Sequence, residues 1–228
     1  MILKNRLYKK QEPSKDAKVF IILCEGKKRV PDYFKYFQAI SSKIKLEIIP
    51  AKHDGDNSPV GLYNEACSCI IATDDNPTPK YDYVTDEDEI WFVIDTDKWG
   101  KKISELRNKC KNHNNWFVAQ SNPCFEVWLY YHFYRNIATF DGIEVSKNWK
   151  SFLNKNIKGG FNSKKHPVLI KYANYNSKKN YTETDGELNI ACTELFKLTE
   201  SFYPLVEKTV EEALATIEKK PHQIGTEY

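Results

Sequence analysis

EIWFVIDTD, residues 89–97, runs through Ile90, Trp91, Phe92, Val93 and Ile94 and then stops on Asp95-Thr96-Asp97. A short, unbroken apolar run rich in β-branched and aromatic residues predicts a strand buried on both faces, as in a parallel sheet. Its acidic end is the feature that needs a reason. If the chain stays extended, the Asp95 and Asp97 side chains leave on one face with Cα atoms about 6.6 Å apart. Two carboxylates held so close repel unless a cation lies between them.

Strands and helices alternate outward from this stretch. KVFIILCEG (18–26), KLEIIPA (45–51) and NWFVAQS (115–121) read as further strands. PDYFKYFQAIS, with Tyr33, Phe37 and Ile40 at helical spacing and Pro31 in the first turn, reads as a helix. So do PVGLYNEACSCIIAT (59–73), KKISELRNKCKN (101–112) and NPCFEVWLYYHFYRN (122–136), with an acidic, proline-containing loop over 74–88. This alternation predicts an α/β fold, a four-stranded parallel sheet flanked by helices. From about residue 146 only helices are expected, with breaks at Gly159-Gly160 and Tyr203-Pro204. The expected organisation is an arm over 1–16, an α/β domain over 17–136 and a helical C-terminal region over 137–228.

A chain of 228 residues with 41% hydrophobic and 29% charged residues has room for one sizeable core. The formal charge is only +3, from 34 basic against 31 acidic residues, so any nucleic-acid surface must be local. No stretch approaches the roughly 18 apolar residues of a spanning helix, and the first residues lack a signal-peptide core. A cytoplasmic protein without membrane contact is expected. Six cysteines without framework spacing read as reduced core thiols, and Cys67-Ser68-Cys69 has no second pair at zinc-like spacing.

In open α/β sheets function gathers at the carboxyl ends of the strands. Glu25-Gly26, Asp95-Thr96-Asp97 and Ser121-Asn122 would share that edge. A donor set made of carboxylates favours Mg²⁺ or Mn²⁺ over zinc. Glu25 suits either a metal ligand or a general acid/base, next to a glycine that lets a phosphate come close. SNPCFE reads as a helix start with Asn122 as N-cap, Pro123 in the first position and Glu126 in the first turn. Glu126 would complete a second metal site, and the exposed N–H groups could hold a phosphate oxygen. The simpler alternatives are turn chemistry for Asp-x-Asp and a helix-dipole charge for Glu126.

Lys27, Lys28 and Arg29 follow Glu25, and Lys98, Lys101 and Lys102 follow Asp97, so both groups would rim the carboxylates. Lys27 or Lys98 could steady charge on a reacting phosphorus. A second basic stretch, 158–181, mixes Lys158, Lys164, Lys165, Lys171, Lys178 and Lys179 with Phe161, Tyr172, Tyr175 and Tyr181. It fits a strand-binding surface or an exposed helix face with its tyrosines turned inward. His132 lies on an apolar helix face and reads as a core residue. His53 and Asp54 flank the edge, with Asp54 as an outlying ligand candidate.

IILCEGKKRVPDYFKYF, WFVIDTDKWG and SNPCFEVWLYYHF, in this order over residues 19–133, resemble the RloB-like proteins of the Toprim superfamily. The resemblance implies a Toprim fold, a four-stranded parallel sheet with a glutamate after the first strand and Asp-x-Asp after the third. It also implies Mg²⁺-dependent chemistry on phosphodiesters and a phage-defence setting beside a partner ATPase. Glu25 matches the Toprim glutamate, Asp95 and Asp97 its aspartate pair, and Glu126 the Ser-Asn-Pro-x-Phe-Glu element of the RloB-like group. Where the family pattern reads Thr-Glu-x-x-Tyr-Phe, this chain has Lys28 to Phe34 as KRVPDYF, so that acidic position is shifted or lost. The expected activity is a Mg²⁺-dependent Toprim-type nuclease acting on DNA or RNA. Its rivals are a non-cleaving nucleic-acid or nucleotide-binding module that works with an ATPase, and nucleotidyl transfer.

Overall fold

The computed structural model describes residues 8–72, 77–97 and 99–218. Lys98, with the part of the acidic loop over 73–76, lies outside the described residues. The four predicted apolar runs are strands β1 (Lys18–Cys24), β2 (Ile44–Ile49), β3 (Glu89–Asp95) and β4 (Trp116–Asn122). They are mutually parallel in the order β2-β1-β3-β4. The register sets Cys24 against Val93 and Asp95 against Ser121, so the polar ends of β1, β3 and β4 meet on one edge.

Alternation within each strand feeds two cores. Ile21, Leu23, Phe92 and Ile94 face α2 (Pro59–Ile70) and α3 (Lys101–Cys110), where they meet Leu62, Ile103 and Leu106. Phe20, Ile22 and Trp91 face the other way, toward α1 (Arg29–Phe34), α4 (Glu126–Tyr130), α5 (Ser146–Asn156), α6 (Ile170–Lys179) and α7 (Leu195–Glu218). Trp128, Trp149 and Phe202 share that second cluster, so residues beyond 137 pack on the sheet itself. Tyr33, Phe37 and Ile40 are all fully buried there, as their spacing predicts.

The sheet is larger than expected. β7 (Cys192–Thr193) adds antiparallel to β4, pairing Ser121 with Thr193 and Asn122 with Cys192. A two-residue strand has no period to detect; Tyr131 holds it in place by donating its hydroxyl to the Ala191 carbonyl, 2.8 Å away. β5 (Glu183–Thr184) and β6 (Glu187–Leu188) form a separate hairpin around Asp185-Gly186, both with positive φ. That pair is the turn a two-residue hairpin loop requires.

Two helices differ from expectation. The helix expected over 122–136 shrinks to α4: Asn122 remains in β4 and its peptide bond to Pro123 is cis. At the far end, Asn176 donates its side-chain amide to the Tyr131 carbonyl, which a longer helix would use. Conversely, α7 runs straight through Pro204. Leu198, Phe202, Val206, Val210 and Ala213 are buried along one face, each large one worth about 1.5–3 kcal/mol, which outweighs the ~3 kcal/mol cost of an interior proline. The break at Gly159-Gly160 stands, with both glycines in left-handed conformation after α5 ends. Among the described residues, no helix is long and apolar enough to cross a membrane. The six cysteines are unpaired, and all but Cys67 are buried.

Candidate functional site

Glu25 is the first residue past β1, and its N–H still donates to the Val93 carbonyl of β3. Its side chain turns back to the sheet edge, where Oε2 accepts the Asp95 N–H at 2.9 Å. β3 ends at Asp95, whose Oδ1 accepts the Phe125 N–H at 2.8 Å. The next two residues have left the extended conformation: the Thr96 and Asp97 N–H groups both point to the Pro123 carbonyl, at 3.1 and 3.2 Å. The extended spacing expected for Asp95 and Asp97 therefore does not apply. Asp97 is exposed and accepts the Ser146 hydroxyl of α5 at 2.6 Å.

Glu126 opens α4 and is 3% exposed, with the Arg29 guanidinium 3.7 Å from its Oε1. Burial, and then the carboxylates of Glu25, Glu126 and Asp97, push the Asp95 carboxyl well above its ordinary range against the pull of the Phe125 N–H. Four acids thus act on one point at the strand ends. Each is turned to a donor of its own, and among the described residues no three His, Cys, Asp or Glu side chains converge as a ready ligand set. An excess of negative charge at a half-buried, oxygen-only edge is the chemistry a hard dication would offset.

A hydrogen-bond chain that the sequence did not signal holds the turn after β3. The Thr96 hydroxyl donates to the Ser121 carbonyl and accepts from the Gln120 amide, at 2.9 and 2.7 Å. Gln120 Oε1 accepts from Arg107, which also pairs with Glu194. Glu194 is 2% exposed and binds Lys197 and the Gln120 N–H as well. Burial alone would raise its carboxyl, but Arg107 and Lys197 prevail and hold it below the usual range. Nothing near Asp95 in sequence points to a glutamate beyond residue 190.

The remaining candidates scatter. Asn122 does not cap α4; its amide donates to the Leu188 carbonyl at 2.6 Å. Gly26 has no positive φ, and a Cβ there would meet nothing within 4 Å, so the position is open to an approaching group without needing glycine's freedom. Lys27 is exposed. Lys102 lies over the Trp99 ring, and His53 and Asp54 bind one another in solvent. His132 is buried, accepting from the Tyr33 hydroxyl and donating to the Trp128 carbonyl, and is a core residue.

Beside Glu126 opens a cleft of ≈ 1190 Å³, whose lining includes Lys28, Arg29, Asp32 and Lys35 from the start of the chain and Lys150 and Lys164 from beyond residue 146. The second basic stretch therefore divides. Lys164 joins this cleft, whereas Lys171 and Lys178 pair with Glu211 and Glu200 of α7. Phe161 is buried in the core.

A family model described as RloB-like protein matches residues 20–212, most of the chain. No curated protein and no solved structure matches it significantly.

Proposed function

We propose that this chain, which belongs to the RloB-like family, is a metal-dependent nuclease of Toprim type that hydrolyses phosphodiesters of DNA or RNA. The observation that carries the reading is the half-buried Asp95 carboxyl, facing the charges of Glu25, Glu126 and Asp97 at the edge where a basic cleft opens beside Glu126. Bare acids beside a phosphate-binding surface have no use in simple binding, since they repel the ligand; they are useful with a cation.

Glu25, Asp95 and Glu126, with Asp97 at the rim, would hold one or two Mg²⁺ or Mn²⁺ ions. When bound, such ions neutralise charge on the scissile phosphate and activate water. The chain's own residues set the frame. The Asp95 N–H orients Glu25, the Phe125 N–H orients Asp95, and Ser146 orients Asp97. Arg29 sits beside Glu126, where it can neutralise a phosphate oxygen entering from the cleft. Glu25 would serve as either ligand or proton acceptor. The phage-defence setting and the partner ATPase belong to the same proposal and rest on resemblance alone.

The test is cleavage of labelled DNA and RNA, single- and double-stranded, with Mg²⁺, Mn²⁺ or EDTA. Metal-dependent cutting that disappears in Asp95→Asn/Asp97→Asn is expected. A wild-type protein that binds nucleic acid yet cuts nothing in either metal would instead be a binding module.

A further inference from the structure

We propose that the cleft beside Glu126 seats the sugar-phosphate backbone of a single nucleic-acid strand, with the C-terminal region supplying its second wall. This deepens the nuclease reading by naming its substrate class and the residues that grip it.

The charge balance of the cleft supports this. Of its five cations, Lys35 lies 3.4 Å from Asp32 and Arg29 lies 3.7 Å from Glu126. Lys28, Lys150 and Lys164 are exposed and make no ion pair among the described residues. Lys171 and Lys178, from the same basic stretch as Lys164, instead pair across to α7. Three unpaired cations therefore line one concave place next to Glu126, a costly arrangement unless a polyanion enters.

Two walls far apart in sequence make the cleft. Lys28 and Arg29 start α1, Lys150 lies on α5, and the left-handed pair Gly159-Gly160 turns the chain so that Lys164 returns to the same space. A side chain at Gly160 would come within 2.9 Å of Asn154 Oδ1, so that turn is closely packed.

Size and shape choose among phosphate ligands. At ≈ 1190 Å³ the cleft exceeds the roughly 300–1,000 Å³ of ordinary small-ligand sites, which leaves room beyond one nucleotide. Proteins that read a duplex commonly insert a helix or ribbon into its groove, whereas this surface is a recess. A recess lined by lysines from two distant parts of the chain suits a flexible strand. Its aromatic members, Tyr36 and Phe161, are buried at 4% and 7% exposure, so the grip is on phosphates and not on base faces.

The experiment measures binding of a labelled single strand in EDTA, by anisotropy across a salt series. For three phosphate contacts on a single strand, Lys28→Ala/Lys150→Ala/Lys164→Ala should lower the salt slope by about 2 and the affinity at ~0.1 M salt about a hundredfold. Lys171→Ala/Lys178→Ala, which removes the same type of charge elsewhere, should stay within about twofold of wild type. Lys150→Glu alone, on an exposed helix face, should weaken binding more than Lys150→Ala. A triple variant that binds like wild type overturns the proposal, as do an equal loss in the Lys171/Lys178 control, tighter binding of a duplex, or displacement of the strand by ATP. Lysine-dependent binding without cutting in Mg²⁺ or Mn²⁺ would sink the nuclease reading and leave the cleft. Cutting with unaltered binding in the triple variant would do the reverse.

Discussion

Glu25 Oε2 accepts the backbone N–H of Asp95 at 2.9 Å, so the acid after the first strand is fixed by the residue that ends the third. Removing the acceptor strands a donor at a half-buried edge, at a cost of about 1–3 kcal/mol. Glu25→Ala is therefore expected to unfold at lower denaturant than wild type. Glu25→Gln, which keeps an acceptor oxygen, should stay near wild type in stability while losing cleavage. Equal midpoints for the two variants would remove the structural role assigned to this bond.

The acids at the strand ends strain the metal-free protein, since burial and three neighbouring carboxylates oppose ionisation of Asp95. Asp95→Asn keeps the acceptor for Phe125 and drops the charge, so it should melt higher than wild type in EDTA near pH 8. Saturation at a hundred times Kd contributes about 2.7 kcal/mol, or roughly 5–10 °C at about 2–4 °C per kcal/mol for a chain of this size. Thermal melts with and without Mn²⁺ should show that rise in wild type and none in Asp95→Asn. The absence of any wild-type shift would count against the metal reading.

Glu194 lies far along the chain yet holds the Gln120 and Arg107 side of the turn at Thr96. Glu194→Gln is expected to cost about 2 kcal/mol, the loss of charged hydrogen bonds, and to slow cleavage although it touches no substrate. Its carboxyl is held below the ordinary value of 4.5. The contribution is therefore complete above that value and is lost as pH falls through the folded-state pKa. Urea midpoints of wild type and Glu194→Gln should differ at pH 7 and converge in acid, while a constant gap would contradict the pairing.

His132 works in the opposite sense to a charged group. Burial drives its pKa down to about 3 from 6.5, so the folded protein refuses a proton that the unfolded chain takes up. Between those values stability should rise with pH by up to about 1.4 kcal/mol per unit. Asp95, raised in the folded state, contributes with the opposite sign. The difference between wild type and His132→Gln isolates the histidine, and identical slopes between pH 4 and 6 would refute its buried neutral state.

Periodicity made the parallel sheet legible, because Ile90 to Ile94 and Phe20 to Leu23 are continuous apolar runs that only a two-sided core can hide. The same logic placed Glu25, Asp95 and Glu126 near one edge, since each follows such a run or opens the next helix. Extended spacing does not hold for Asp97, because the chain bends at Thr96 to reach the Pro123 carbonyl, a contact with no local pattern. Cys192–Thr193 and Glu194 were invisible for another reason. Their conformation comes from Gln120, Ser121 and Tyr131, contacts of long sequence separation that leave no local pattern. Asp185-Gly186, by contrast, is a hairpin-turn pair whose flanking strands, Glu183–Thr184 and Glu187–Leu188, are too short to show an alternating pattern.

The late position of β7 gives the protein a sequence of completion in time. Asp95 emerges from the ribosome well before Cys192, Thr193 and Glu194, by about 5–20 s at ordinary elongation rates. Through that interval the outer edge of β4 has no partner strand, and Gln120 lacks the acid that fixes it. Translation stalled in that window leaves Ser121 and Asn122 without the strand that pairs with them and the Gln120 N–H without the Glu194 carboxylate.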